Sequence, residues 1–188
     1  CSPGSELAYA LIPQELEVVL DAATLYMKAT NATVSPVYQH AFARVMQKHS
    51  ALQEYLDGIN NIYQSCAYYT FKRAQELQLS PTLPVAGVSI QVDFSAYKEA
   101  LFSIGIKTSD ELAMFLLKNY RLSLSPGEQF SIPGTDLIMR ISCTDFDGQR
   151  AFDGAEKVAD LDRDYVERYC SRIVRGLDAL EKFIESIR

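Results

Sequence analysis

The chain has 188 residues, the size of one domain or of one domain with part of a second, and 48% of them are hydrophobic, which argues against disorder and allows a sizeable core. Its net charge is −6 and no basic cluster is visible, so nucleic-acid and anionic-membrane partners, which are met by a basic face, are not expected. No apolar run reaches the roughly 18 residues of a membrane span, and the first residues lack the charged and apolar regions of a signal peptide. A soluble, cytoplasmic protein is the expectation.

The opening residues CSPGSELAYALIP read as the end of a turn entering a strand, as at a cut through a larger protein. The short apolar run from Leu7 to Ile12 has the pattern of a buried strand, closed by Pro13. A helix is predicted from near Gln14, with Leu16, Val19, Leu20 and Ala23 at three- and four-residue steps. After the loop Thr30 to Pro36, a second helix runs to about Lys48, with Pro36 in its first turn, where the missing N–H costs nothing. From Ser50 to about Leu79 helical spacing persists through Leu52, Leu56, Ile59, Tyr63, Cys66 and Tyr69, giving a helix about 40 Å long that could bridge two lobes.

The Pro-rich stretch LSPTLPVAG, Leu79 to Gly87, is the clearest boundary, and beyond it the period changes to two. Val88, Ile90, Val92 and Phe94 alternate with polar residues, as in a sheet with one wet face. Helical spacing follows, and Thr108 with Glu111 forms a capping box for a helix carrying Leu112, Phe115, Leu116 and Leu117. Tyr120 to Ser125 and Leu137 to Cys143 read as short strands separated by the Pro126-Gly127 turn. One final helix, from about Arg163 to Ile187, repeats apolar residues from Val166 to Ile187 in steps of four and three. The second half is therefore an α+β lobe with a mostly antiparallel sheet, and the first half the tail of an α/β region followed by helices.

Few chemical motifs stand out. Cys1, Cys66, Cys143 and Cys170 are scattered, without a CxxC pair or a histidine at ligand spacing, so buried structural thiols are expected rather than zinc or a disulfide framework. His40 and His49 show no nucleophile at a suggestive spacing. Asp145, Asp147, Asp153 and Glu156 do not follow the alternating ligand order of a calcium loop and read as a solvated acidic loop. Tyr63, Tyr68 and Tyr69 read as packing residues. Arg140, between Met139 and Ile141 in a strand-like run, is either an edge charge facing water or the anchor of an anionic ligand.

Two stretches carry a resemblance. PGSELAYALIP, Pro3 to Pro13, resembles the segment (A)PGLRLGYLIAP that follows the cofactor lysine in the class I/II aminotransferases, fold-type-I enzymes dependent on pyridoxal 5'-phosphate. LSLSPGEQF followed by LIMRIS is similar to that family's xVxVxPGxxFG…xxRLS. The resemblance implies an α/β to α+β fold: residues 1–49 ending the large cofactor-binding lobe, 50–80 a long connecting helix, and 81–188 the small substrate-closing lobe, with helices packed on a small, mostly antiparallel sheet. It implies amino-group transfer between an amino acid and a 2-oxo acid in a homodimer.

In that family the arginine of the RLS motif, here Arg140, pairs its planar guanidinium with the substrate α-carboxylate. Pro126, Gly127 and Phe130 would wall the substrate site, which is compatible with a plain β-turn and a core phenylalanine. No catalytic residue falls within the chain, because the Schiff-base lysine is expected about two residues upstream of Cys1. Glu6 stands where the family has the arginine that binds the cofactor phosphate, and Ala8 where it has a glycine. A carboxylate repels a phosphate, which favours a binding module that has lost its cofactor, and a lyase or decarboxylase is a further reading because the fold supports several chemistries on one cofactor.

Overall fold

Alternation of apolar and polar residues after Gly87 builds a sheet with one covered face, and the helices around it follow from where their own apolar residues must go. The computed structural model describes residues 10–30, 34–47, 49–158 and 160–188, without the side chains of residues 49 and 51. The chain divides into two compact units, Cys1–Tyr55 and Leu56–Arg188.

In the first unit a single 3-10 turn, Gln14–Leu16, leads into α1 (Glu17–Thr30), and α2 (Pro36–Gln47) starts on its proline. Neither helix buries a residue, and Val18, Leu25 and Val37 stand largely in solvent. Part of the strand expected from Leu7 to Ile12 lies outside the described residues. The rest, from Ala10 onward, carries no regular structure, and Leu11 is exposed.

The long helix is present as α3 (His49–Glu76), 28 residues and so about 42 Å. In the second unit it leads through β1 (Ser80–Pro81) to β2 (Ser89–Asp93), α4 (Lys98–Ser103) and α5 (Ser109–Tyr120). Then come β3 (Ser125–Pro126), two 3-10 turns, β4 (Ile138–Ser142), α6 (Gly148–Ala155), α7 (Arg163–Tyr169) and α8 (Ser171–Ile187). The four strands form one antiparallel sheet in the order β1-β2-β4-β3. This is the mixed helix and small-sheet architecture expected for the second half. Ile90 faces Ile141 and Val92 faces Met139 across the central pair, and all four are buried together with Leu112 and Leu116 of α5 and Leu177, Leu180 and Phe183 of α8.

The α5 start is as predicted. The Thr108 hydroxyl accepts from the Glu111 N–H and the Glu111 carboxylate accepts from the Thr108 N–H, which satisfies two of the orphan donors of the first turn. The strand expected over Tyr120 to Ser125 is not there. Helix α5 continues through Tyr120 and stops on Arg121, which takes a left-handed conformation at φ 57°. Leu124 then turns into the core instead of joining a ladder, leaving two strand residues, Ser125 and Pro126.

The single last helix is two. Cys170, at φ −114° and ψ 39°, leaves the helical region between α7 and α8, a break that apolar periodicity cannot register because the spacing continues through it. The acidic segment is mostly helical rather than a loop: Asp147 caps α6 by accepting from the Arg150 N–H at 3.0 Å, and Asp145 pairs with Arg172 at 3.1 Å.

Arg73 of α3 is the buried cation of this unit. It donates to Asp178 and Glu181 of α8, each at 3.0 Å, and to the Tyr69 hydroxyl at 3.1 Å, so the buried guanidinium is compensated by carboxylates that are themselves half-exposed. The cap of α5 gives a direct check on the helix start. Thr108→Ala removes one of the paired bonds and should cost about 1 kcal/mol, lowering the thermal midpoint by about 2–4 °C. An unchanged midpoint in calorimetry would show that the box contributes nothing to stability.

Candidate functional site

Which face Arg140 occupies follows from the register of β4. Met139 and Ile141 point into the core, so Arg140 between them points away from it. Its cross-strand neighbours are Gln91 on β2 and Ser125 on β3, which places it in the middle of the sheet's polar face rather than on an edge. The side chain is half-buried. Its guanidinium carbon lies 4.2 Å from the centroid of the Phe130 ring, a close cation–π contact.

Arg140 forms no salt bridge with a carboxylate among the described residues, in contrast to Arg73, Arg163 and Arg172, each of which has a carboxylate partner. Asp93, on the same face, accepts from the Ser95 N–H at 2.7 Å.

Phe130 is delivered by a tightly held loop. The Pro126-Gly127 pair does not make a simple turn: Pro126 ends β3 and Gly127 opens a 3-10 helix, Gly127–Phe130. A Cβ on Gly127 would lie 2.9 Å from the Ile138 carbonyl oxygen, so only glycine lets this backbone close on β4. The Gly127 N–H donates to the buried Ser109 hydroxyl at 3.2 Å, and that hydroxyl donates to the Glu128 carboxylate. Glu128 also accepts from the Asp110 N–H at 3.4 Å, placing a negative charge at the α5 N-terminus. Loop, helix start and arginine stack are thus one connected assembly.

Sequence reading found Arg140, Gly127 and Phe130 but missed Ser109 and Glu128. They lie 19 residues apart in sequence, and although Glu128 falls within LSLSPGEQF and Ser109 within the Thr108–Glu111 box, neither motif signals that the two side chains meet. The other candidates are dispersed. Tyr69 is buried, Tyr63 tilts against Phe146 with ring centroids 5.9 Å apart, and Tyr68 stacks on Phe71 at 6.1 Å. His40 is exposed on α2, and the side chain of His49 lies outside the described residues. So do Cys1, Glu6 and Ala8. Two cavities, of 510 Å³ beside α8 and 570 Å³ beside α3, are lined by residues other than Arg140.

Compared with known proteins, the chain matches no family model and no curated protein.

The Glu128 carboxyl offers a test of the loop's anchorage. Its partial burial opposes ionisation, but the bonds donated by the Ser109 hydroxyl and by the Glu128 and Asp110 N–H groups outweigh that and hold it below the ordinary carboxylate value of 4.5. A depressed folded-state value contributes stability above the unfolded value, lost as pH falls through the folded one. Glu128→Gln should therefore flatten part of the acid-side fall of the thermal midpoint below about pH 4.5. Identical acid limbs for the two proteins would show that Glu128 does not anchor the loop through its charge.

Proposed function

We propose that the chain is the C-terminal portion of a cytoplasmic, homodimeric class I/II aminotransferase dependent on pyridoxal 5'-phosphate, in which Arg140 grips the α-carboxylate of the amino acid and of the 2-oxo acid exchanged with it. The observation that carries the reading is Arg140 itself: half-buried on a sheet face, stacked on Phe130 and without a carboxylate partner among the described residues. A guanidinium so held presents two parallel N–H donors to a carboxylate fork, the geometry in which charge-assisted bonds are strongest. A neutral ligand would forgo that gain.

The reading divides the chemistry between two regions. The cofactor, when bound, supplies the electron sink for proton exchange at the substrate's α-carbon. Lys28, Lys72 and Lys118 lie on α1, α3 and α5, and Lys72 stands over the Tyr68 ring at 5.2 Å. The reading assigns the Schiff-base lysine, as the resemblance does, to a position preceding Cys1. This chain's own part is to bind and orient the carboxylate and, through the lobe carrying Arg140, to exclude water from the bound substrate. The apolar residues left exposed on α1 and α2 accord with helices that pack against a larger lobe. Glu6 favours a second reading, a module without cofactor that binds a carboxylate ligand at Arg140, since a carboxylate in the phosphate position would repel the cofactor.

The test uses the protein together with its upstream segment. Arg140→Ala should raise the apparent Michaelis constant for the amino acid roughly 10- to 100-fold, the loss of a charge-assisted pair worth about 1.5–3 kcal/mol. Arg140→Lys should recover part of that, keeping the charge but not the fork. Equal constants for Arg140→Ala and the parent protein would remove Arg140 from the site. If the visible absorbance of bound cofactor fails to develop on adding pyridoxal phosphate, the module reading replaces the enzyme.

A further inference from the structure

Three thiols, Cys66, Cys143 and Cys170, are fully buried in the second unit, and two of them touch. Cys66 Sγ, on α3, lies 3.5 Å from Cys170 Sγ, at the break between α7 and α8, although the two residues are 104 positions apart in the chain. We propose that Cys66 and Cys170 are a redox pair, oxidised by peroxide to a disulfide that staples α3 to the α7–α8 corner. The inference is independent of the aminotransferase reading.

The break in the helix is what creates the pair. Cys170 alone departs from helical geometry between α7 and α8, and its sulfur meets Cys66 at that point. The third thiol, Cys143, neighbours Cys66 but directs its Sγ at the Ile141 carbonyl, 3.9 Å away. The pair is also chemically unequal. Hydrogen bonding from Cys66 and the positive charge of Arg150 outweigh burial and hold the Cys170 thiol below its ordinary value, while the same contact and burial push the Cys66 thiol up. Arg150 is kept nearby by its bond to the Arg168 carbonyl at 3.1 Å, at the end of α7. Both thiols are fully buried, so an oxidant reaches them on local opening of the structure, for which α7, the helix of 7 residues that ends at Cys170, is the shortest element beside the pair.

The reaction balances as a two-electron oxidation. The Cys170 thiolate attacks one peroxide oxygen, the O–O bond breaks, and the other oxygen leaves as hydroxide and is protonated to water, giving Cys170 sulfenic acid. The Cys66 sulfur then attacks the sulfenyl sulfur, the S–S bond forms, and the hydroxyl leaves with the thiol proton as a second water. Two thiols lose one electron each, and one peroxide becomes two waters. In a reducing compartment such a bond is transient and reports oxidant.

The experiment treats the folded, reduced protein with hydrogen peroxide and maps its peptides by mass spectrometry under non-reducing conditions. A cross-linked peptide joining Cys66 to Cys170, lighter by two hydrogens and cleaved by dithiothreitol, is the expected result, with a thermal midpoint higher by roughly 5–15 °C. Cys143→Ser should retain the cross-link and Cys170→Ala should abolish it. Should Cys170→Ala fail to fold, the peptide map of the parent protein and of Cys143→Ser decides alone. Cysteines 66 and 170 recovered as separate thiols or sulfinic acids, pairing through Cys143, or a cross-link that lowers the midpoint would each overturn the proposal.

Discussion

Everything on the polar face of the sheet depends on one register, the antiparallel pairing of β2 with β4. Ile90 must face Ile141 and Val92 must face Met139, because each pair is buried and a slip by one residue would carry all four into water. The same pairing sets Gln91 opposite Arg140. The position of the arginine is therefore dictated by the apolar residues on either side of it, and the cost of moving it is the cost of unpacking the core.

A second level of order comes from the ends of elements rather than their middles. The α5 N-terminus is satisfied by its own capping box and again by Glu128, which belongs to the loop after β3. Through Ser109 that loop is tied to the helix, and through Phe130 to the Arg140 guanidinium. Helix dipole, buried hydroxyl and aromatic face thus orient a cation that no described carboxylate neutralises. Arg73 differs: it bonds Tyr69, Asp178 and Glu181 and ties α3 to α8. Both arginines stand over an aromatic ring, and what separates them is that Arg73 has carboxylates at 3.0 Å while Arg140 pairs with no carboxylate among the described residues.

Much of this was legible in the residues themselves. The period of two over Val88 to Phe94, the run Leu137 to Cys143 and the Thr108/Glu111 box each encode local structure through short-range physics, and each led to the element now seen. The missing strand at Tyr120 to Ser125 and the break at Cys170 were misread because each turns on the backbone conformation of one residue, Arg121 and Cys170. The helix over the acidic segment instead begins on a local cap, Asp147 on the Arg150 N–H, that the acidic composition obscured. Ser109, Glu128 and the Cys66–Cys170 contact have no local signature, because their partners lie far away in the chain.

The sequence by itself determined the α+β character of the second unit, the apolar faces of its main elements and the choice of Arg140 as the residue to explain. These rest on periodicity and on local hydrogen bonding, which act within a turn or a strand. Only the tertiary structure decided that Arg140 stands mid-sheet on the open face with Phe130 against it, and that two distant thiols meet at a helix break. Those placements arise from closing the core, where the position of one residue is settled by the volume and hydrogen-bonding needs of others many residues away.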